Sequence, residues 1–578
     1  MAANRQVQAA SAPYAAPVAP RRRTNAALTS LVFATSGGRG AQLAVPEAPI
    51  VTPTLEEALR SRAVVAAWGG GDPALLGALS LVALLRARKL SSLELADAYL
   101  ARIARVNGDG GVIGVARGPA GPDASQAVYA ANGALNAYVH VYADRARAEA
   151  RAADARLDAA ARGGPPAPLL CGLPIALKDV IAVDGMPLSL GCPSLRGQRV
   201  AGDSVIWARL AAAGAVLLGH THTGPWTADD LCAQTANPWR AELAIGGSSG
   251  GSAAAAAARL AALTIGTDTG NSVRNPAQQA GISALKPSHG MVPLTGVAPL
   301  IPGLDHAGPM AAAMEDVSLA LAALAGPDPS DPRTRFTTGA GSAGGPGFPV
   351  IARGGDRPLA GVRIASTVST EPEPARDRWH PDVVAALRRC EEELRALGAE
   401  VLTVTPPERV HGATHADLTA LDRQVVLAET YAQREDAAVE AAVRLRHRHE
   451  PEGRDVMLGP AALEGQALDH ARRQRRGYRS AWAATLAEAR ADAVLWPQKV
   501  ELPPVREGDF TAPFLGVDQA RANTLGWPCA QMPLGPGTQS GLPVGVDLAA
   551  PWGRDAVVLR IALEYQARHP HHEAVPAL

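Results

Sequence analysis

The sequence predicts an α/β protein in which helices cover a mixed, largely parallel sheet. Three observations carry that reading. VRIAST (362–367), a helical stretch at 381–397 and EVLTVTP (400–406) make a βαβ unit, whose crossover returns the second strand parallel to the first. VIWARLAAAG (205–214) running into AVLLGHT (215–221) repeats the order of helix then strand. A glycine-rich loop, an alanine helix (253–262) and a strand (263–266) repeat it again. Strands that alternate with helices bury a sheet beneath them, which is the α/β arrangement.

Taken in order, residues 1–50 are rich in Ala, Pro and Arg and have two readings. They are a disordered tail on a cytoplasmic protein, or an export signal, because Arg21-Arg22-Arg23 precedes the apolar AALTSLVFA (26–34). Residues 75–106 hold two helices, with Leu81, Leu84 and Leu85, then Leu93, Ala96 and Leu100, at helical spacing. GDGGVIGVARGPAGPDA (108–124) has turn composition. Ala143 to Ala161 is a helix whose charges are spaced to pair at i,i+4. PIAL (174–177) is a short apolar strand that delivers Lys178 at its end. Residues 338–349 are a Gly/Pro/Ser linker, and 413–490 are mostly helical and rich in Arg and Glu. AVLWP (493–497) and PVGVDL (543–548) return to strands before a last helix. No repeat is visible along the chain.

The 578 residues carry a formal net charge of zero, which argues against a nucleic-acid or acidic-membrane partner. No apolar run reaches the roughly 18 residues of a membrane helix. Cys171, Cys192, Cys232, Cys390 and Cys529 lie far apart without CxxC or Cys/His spacing, so they signal neither a disulfide framework nor a metal site. They read as reduced, packed thiols. Lysine usage is more telling: of 55 basic residues only four are lysine, Lys89, Lys178, Lys286 and Lys499. Arginine cannot lose its proton at ordinary pH, whereas a buried lysine becomes a neutral amine and acts as a base. Lys178 follows an apolar run that supplies a dry setting, and Asp179 should face the other side of the strand, away from the amine.

Three segments carry the chemistry: GLPIALKDV (172–180), IGGSSGGSAAAAAA (245–258) and GTDTGNSVRNPA (266–277). Ser248 and Ser272 stand 24 residues apart, and Lys178 lies 70 residues upstream of Ser248. This pattern resembles the amidase signature family, and segments 135–158, 282–310 and 541–566 read like it too. The resemblance covers residues 75–570 and implies that they form one catalytic domain, an α/β/α sandwich around one large mixed sheet. It implies hydrolysis of amides without a cofactor, through a Ser-cisSer-Lys triad and an acyl-enzyme. Ser272 would be the nucleophile, Ser248 would pass protons across a cis peptide, and Lys178 would be the base. The backbone N–H groups of Thr269, Gly270 and Asn271 would form the oxyanion hole. The partner would be a small-molecule amide or carbamate, with anilides and esters open, bound by a monomer or homodimer.

Supporting roles remain with alternatives. Ser249 is a hydrogen-bond partner supporting the lysine, or a turn serine. Asp268 and Arg274 form an ion pair bracing the nucleophile loop, or bind substrate. Asn271 stands where the family commonly has glycine, and asparagine tolerates left-handed backbone. Asn275 lines the pocket or caps a turn, His306 reads as structural, and Asn237-Pro238-Trp239 as a structural turn. Gly247-x-Ser249-x-Gly251 fits the nucleophile elbow of other hydrolases, but that leaves Ser272 and Lys178 without a purpose. The family also includes the amidase-type subunit of a glutamine-dependent tRNA amidotransferase. Neutral charge, the added tail and insertion, and Asn271 favour a free-standing hydrolase instead.

Overall fold

The structure, a computed structural model, describes residues 62–108, 134–192, 195–227, 234–336, 348–370, 379–407, 465–505 and 520–576, with Ala26–Phe33 and a few isolated positions. The insertion beyond Gly108 and most of 413–464 lie outside these residues.

One sheet holds 11 strands. In chain order they are β1 (Tyr138–Val141), β2 (Pro174–Lys178), β3 (Val216–Thr221), β4 (Leu263–Asp268), β5 (Ser283–Lys286), β6 (His306–Ala311), β7 (Arg363–Ser366), β8 (Glu400–Thr403), β9 (Ala493–Trp496), β10 (Cys529–Pro536) and β11 (Pro543–Ala549). Their order across the sheet is β1-β3-β2-β4-β6-β5-β10-β11-β9-β7-β8. The expected mixed α/β class holds, but parallel pairing is confined to two groups, β3-β2-β4 and β9-β7-β8. The middle, from β4 through β6, β5 and β10 to β11, is antiparallel. The reason is local. The parallel groups are the apolar strands with helical crossovers, whereas β6 (HAGPMA) and β10 (CAQMPLGP) carry Gly and Pro and do not read as strands. Pro309 is accommodated because β5 pairs only with Met310 and Ala311 of β6 and stops short of it.

Besides the short helices Ala26–Phe33, Ala63–Ala67 and Arg521–Leu525, the described helices are α1 (Ala78–Arg86), α2 (Ser92–Val106), α3 (Ala143–Ala161), α4 (Val205–Ala212), α5 (Gly250–Ala257), α6 (Arg274–Ala280), α7 (Met314–Leu324), α8 (Pro381–Ala396), α9 (Gly465–Glu488) and α10 (Asp555–Arg568). α2 starts where Ser91 and Glu94 form a reciprocal capping box; of the expected stripe Ala96 and Leu100 are buried and Leu93 is half-buried, and the buried face is completed by Leu95, Tyr99 and Ile103. α5 packs across β2, β3, β4 and β6; α6 packs on β5, β10 and β11. These two short helices carry the loops of the site. Of residues 1–50, expected to be tail or signal, Ala26–Phe33 is a helix with Leu28 and Val32 buried, and most of the others lie outside the described residues. Those two apolar side chains give that piece a reason to fold against the rest. No described helix is long and apolar enough to cross a membrane.

Candidate active site

β3, β2 and β4 end at Thr221, Lys178 and Asp268, and the chemistry-bearing loops lie beyond their carboxyl ends, where open α/β sheets bind ligands. Lys178 is fully buried. Its Nζ donates to Ser248 Oγ at 2.8 Å and to Thr267 Oγ1 at 2.9 Å. Burial pushes the amine down to about 7, with Cys232, Asp268 and Asp305 offsetting part of that effect. Asp179 turns away, as alternation along a strand requires. Its carboxylate accepts from the Ser189 backbone N–H at 3.1 Å and from the Ser189 hydroxyl.

The Ser248 loop turns at Gly246, whose φ of +80° suits glycine, and the Gly247–Ser248 peptide is cis. α5 then begins so close to β3 that a Cβ on Gly251 would stand 2.4 Å from His222 N. Only glycine permits that approach. The Ser249 hydroxyl donates to Thr267 O at 3.1 Å and accepts from Thr267 N at 3.2 Å. This corrects the expectation for Ser249: the second partner of the amine is Thr267, because both backbone groups of Thr267 occupy the Ser249 hydroxyl. Ser249 therefore acts at one remove, fixing the residue whose Oγ1 faces Lys178. Its backbone N–H also donates to Ser272 O at 3.1 Å, joining the two serine loops.

Ser272 is 5% exposed at the start of α6. Among the described residues the backbone N–H groups of Thr269 and Gly270 meet no protein acceptor. Asn271 is not among the residues with positive φ, so the asparagine needs none of the left-handed tolerance expected of it. Its carbonyl accepts from Asn275 N at 2.7 Å, opening α6. Asn275 is buried and donates from Nδ2 to Gly247 O at 3.3 Å, tying α6 to the cis loop rather than capping a turn. Asn237 does form a structural turn: its Oδ1 accepts from Trp239 N, and Trp239 Nε1 donates to Ala280 O.

Asp268 and Arg274 pair at 3.1 Å, both fully buried, and Arg274 reaches on to Asp547 at 2.6 Å and Asn523 Oδ1 at 2.8 Å. Arg274 Nη2 also donates to Gly270 O at 3.0 Å, so the pair braces the loop. Burial alone would raise the Asp268 carboxyl; the cations of Arg274 and Lys286 outweigh it and leave the pKa lowered. Lys286 is held to Trp527 O at 2.6 Å and to His306 Nε2 at 3.2 Å. His306 Nδ1 faces Leu304 O at 2.6 Å, which makes Nδ1 the protonated nitrogen and Nε2 the acceptor. His306 is therefore structural, as expected. A small pocket opens beside Thr267 and Thr269, lined by Leu294, Val297 and Leu300 and by the polar Asp305, His306 and Arg333. Thr267, Asn523 and Asp547 are the site residues that sequence reasoning misses: Thr267 stands within GTDTGNSVRNPA but is not singled out there, and Asn523 and Asp547 lie outside the three segments. The five cysteines are free and buried.

The sequence model of the Amidase family matches residues 123–559. The glutamyl-tRNA(Gln) amidotransferase of Azotobacter vinelandii has an A subunit that is 33% identical over 517 residues, covering 85% of this chain and 97% of its own length. Its counterpart in Symbiobacterium thermophilum is 31% identical over 542 residues, covering 87% and 99%. The native peptide amidase of Stenotrophomonas maltophilia superposes with a TM-score of 0.67 at 26% identity, over 87% of this chain and 98% of that one. A bacterial aryl acylamidase superposes with a TM-score of 0.68 at 22% identity, over 87% and 98%, and bears on the fold alone. Fold and site together define an α/β enzyme with serine and lysine side chains gathered at the ends of a parallel strand group. The chain belongs to the amidase signature family, and with it to the hydrolases of carbon–nitrogen bonds.

Proposed function

We propose that the chain is a free-standing hydrolase of small amides acting through an acyl-enzyme, with Ser272 as nucleophile, Ser248 as proton relay and Lys178 as base. The observation that carries this is the setting of Lys178. Its amine is sealed from water, faces two hydroxyls, and is shifted toward the neutral form that a base requires. Ser272 Oγ attacks the amide carbonyl carbon as its proton passes to Ser248, whose own proton passes to Lys178 Nζ. The carbonyl oxygen takes up the negative charge and is received by the N–H groups of Thr269, Gly270 and Asn271. Each such donor is worth about 2.7–4 kcal/mol in the transition state. Lys178 then returns the proton through Ser248 to the leaving amine, and water releases the acyl group by the reverse sequence. Asp268 and Arg274 hold the loop without touching the substrate.

A second reading, the amidase-type subunit of an amidotransferase assembly, is favoured by the relatives that are 31–33% identical along nearly their whole length. Purifying this chain alone and measuring ammonia release from a panel of amides, anilides and carbamates separates the two. Turnover by the isolated chain supports the free-standing enzyme; turnover that appears only on adding partner subunits supports the assembly.

A further inference from the structure

The end of α10 and the turn after it bring His569 and His571 against Glu393 of α8. Glu393 Oε1 lies 3.5 Å from His569 Nδ1 and 3.5 Å from His571 Nε2, and the three donor atoms lie within 4.8 Å of one another. Ligands about 2.0–2.1 Å from a tetrahedral ion stand roughly 3.3 Å apart, so these atoms are spaced much as the corners of a metal site. His571 Nε2 is buried and makes no hydrogen bond among the described residues, a state that asks for a partner. The other oxygen of Glu393 accepts from the Tyr565 hydroxyl at 2.6 Å, which aims the carboxylate as outer-sphere partners of metal ligands do. His571 is seated against β10, where a Cβ on Gly535 would come within 3.3 Å of Nδ1. One cation already stands nearby: Arg389 Nε is 3.7 Å from the same Glu393 oxygen.

The geometry points to a divalent-metal site made by Glu393, His569 and His571, which takes Zn²⁺ or a similar borderline ion and clamps the segment after α10 to α8. Two imidazoles and one carboxylate suit such an ion and leave the fourth position to water. A search for Cys/His spacing misses the site because Glu393 comes from a distant helix. Gly535 lies six residues along β10 from Cys529, which pairs with Lys286 beside the catalytic loops. That is about 20 Å at the rise of a strand, so the ion acts on stability and not on amide chemistry.

The test uses the full chain, stripped with a chelator and titrated with Zn²⁺ by calorimetry and with Co²⁺ by absorption. The expected result is one equivalent bound beyond that taken up by the His569→Ala/His571→Ala variant, tetrahedral Co²⁺ bands, and a Tm that rises by a degree or more with Zn²⁺. Amide hydrolysis should be the same with and without chelator. If the double variant fails to fold, Glu393→Gln gives the comparison, since it keeps both rings and removes the charged ligand. Equal or absent binding in the parent and in Glu393→Gln would overturn the proposal and leave an Arg389–Glu393 ion pair flanked by histidines.

Discussion

Replacing Lys178 with methionine should remove activity and change how stability depends on pH. The parent amine has an ordinary value of 10.5 and is lowered to about 7 in the folded protein. At about 1.4 kcal/mol per unit, that corresponds to a penalty on the order of 5 kcal/mol against burying the charged form. The unfolded chain keeps this proton up to its ordinary pKa, while the folded chain gives it up near 7. Between those values the unfolded state binds more protons, so this group makes stability rise with pH. The full penalty is present below pH 7, and none remains above 10.5. Methionine carries no such term, though it leaves the Ser248 and Thr267 hydroxyls each short of a partner at about 1–3 kcal/mol. That cost is the same at every pH. The stability of the variant minus that of the parent should therefore shrink by about 0.7 kcal/mol per unit at pH 7, where the folded amine is half-titrated, steepening toward about 1.4 per unit, or about 2.3 kcal/mol in all between pH 7 and 9. Asp179, also buried with its pKa raised, is present in both proteins and cancels. Urea denaturation of both proteins at pH 6, 7, 8 and 9 measures the difference. A difference independent of pH would refute the reasoning, because it would mean that Lys178 keeps its ordinary pKa on folding.

Ser272→Ala and Ser248→Ala should each lower kcat/KM by several orders of magnitude, and the double variant should fall little further, because the residues act as a unit; additive losses would separate them. The parent kcat/KM should rise with pH along a limb near 7 set by the coupled Ser, Ser, Lys system, while Lys178→Arg stays inactive at every pH; an active arginine variant would assign the base elsewhere. Arg274→Met should cost about 3–5 kcal/mol in urea denaturation, because it leaves Asp268 and Asp547 facing each other unpaired; a loss under 1 kcal/mol would show that the pair braces nothing. Asn271→Gly should keep measurable hydrolysis, since the N–H remains, yet change the ratio of kcat/KM for a small and a bulky amide; an unchanged ratio would mean that the side chain points away from the pocket.

The parallel strand groups are legible in the sequence because short stretches rich in Val, Ile, Leu and Ala alternate with helical stretches. β2, α3, β7 and α8 fall where the pattern places them. β6 and β10 are not legible, because their Gly and Pro residues break the usual pattern and only pairing with neighbours makes them strands. The site divides the same way. Lys178, Ser248 and Ser272 announce themselves by residue type and glycine context, and the scarcity of lysine singles out Lys286 as well. Thr267 lies inside the 266–277 segment without standing out, and Asn523 and Asp547 carry no local signal: their roles come from β4 lying beside β2, from the short helix Arg521–Leu525 and from β11. Asn271 shows the opposite limit, since the residue stands out while its φ is ordinary.

Mapping the adduct of a fluorophosphonate probe by peptide mass spectrometry tests the central claim most directly, because the probe reacts with an activated serine and reports its position. A single adduct on Ser272 is expected, absent in Ser272→Ala and strongly slowed in Lys178→Met. An adduct on Ser249, or labelling of Ser272 at the parent rate without Lys178, would contradict it.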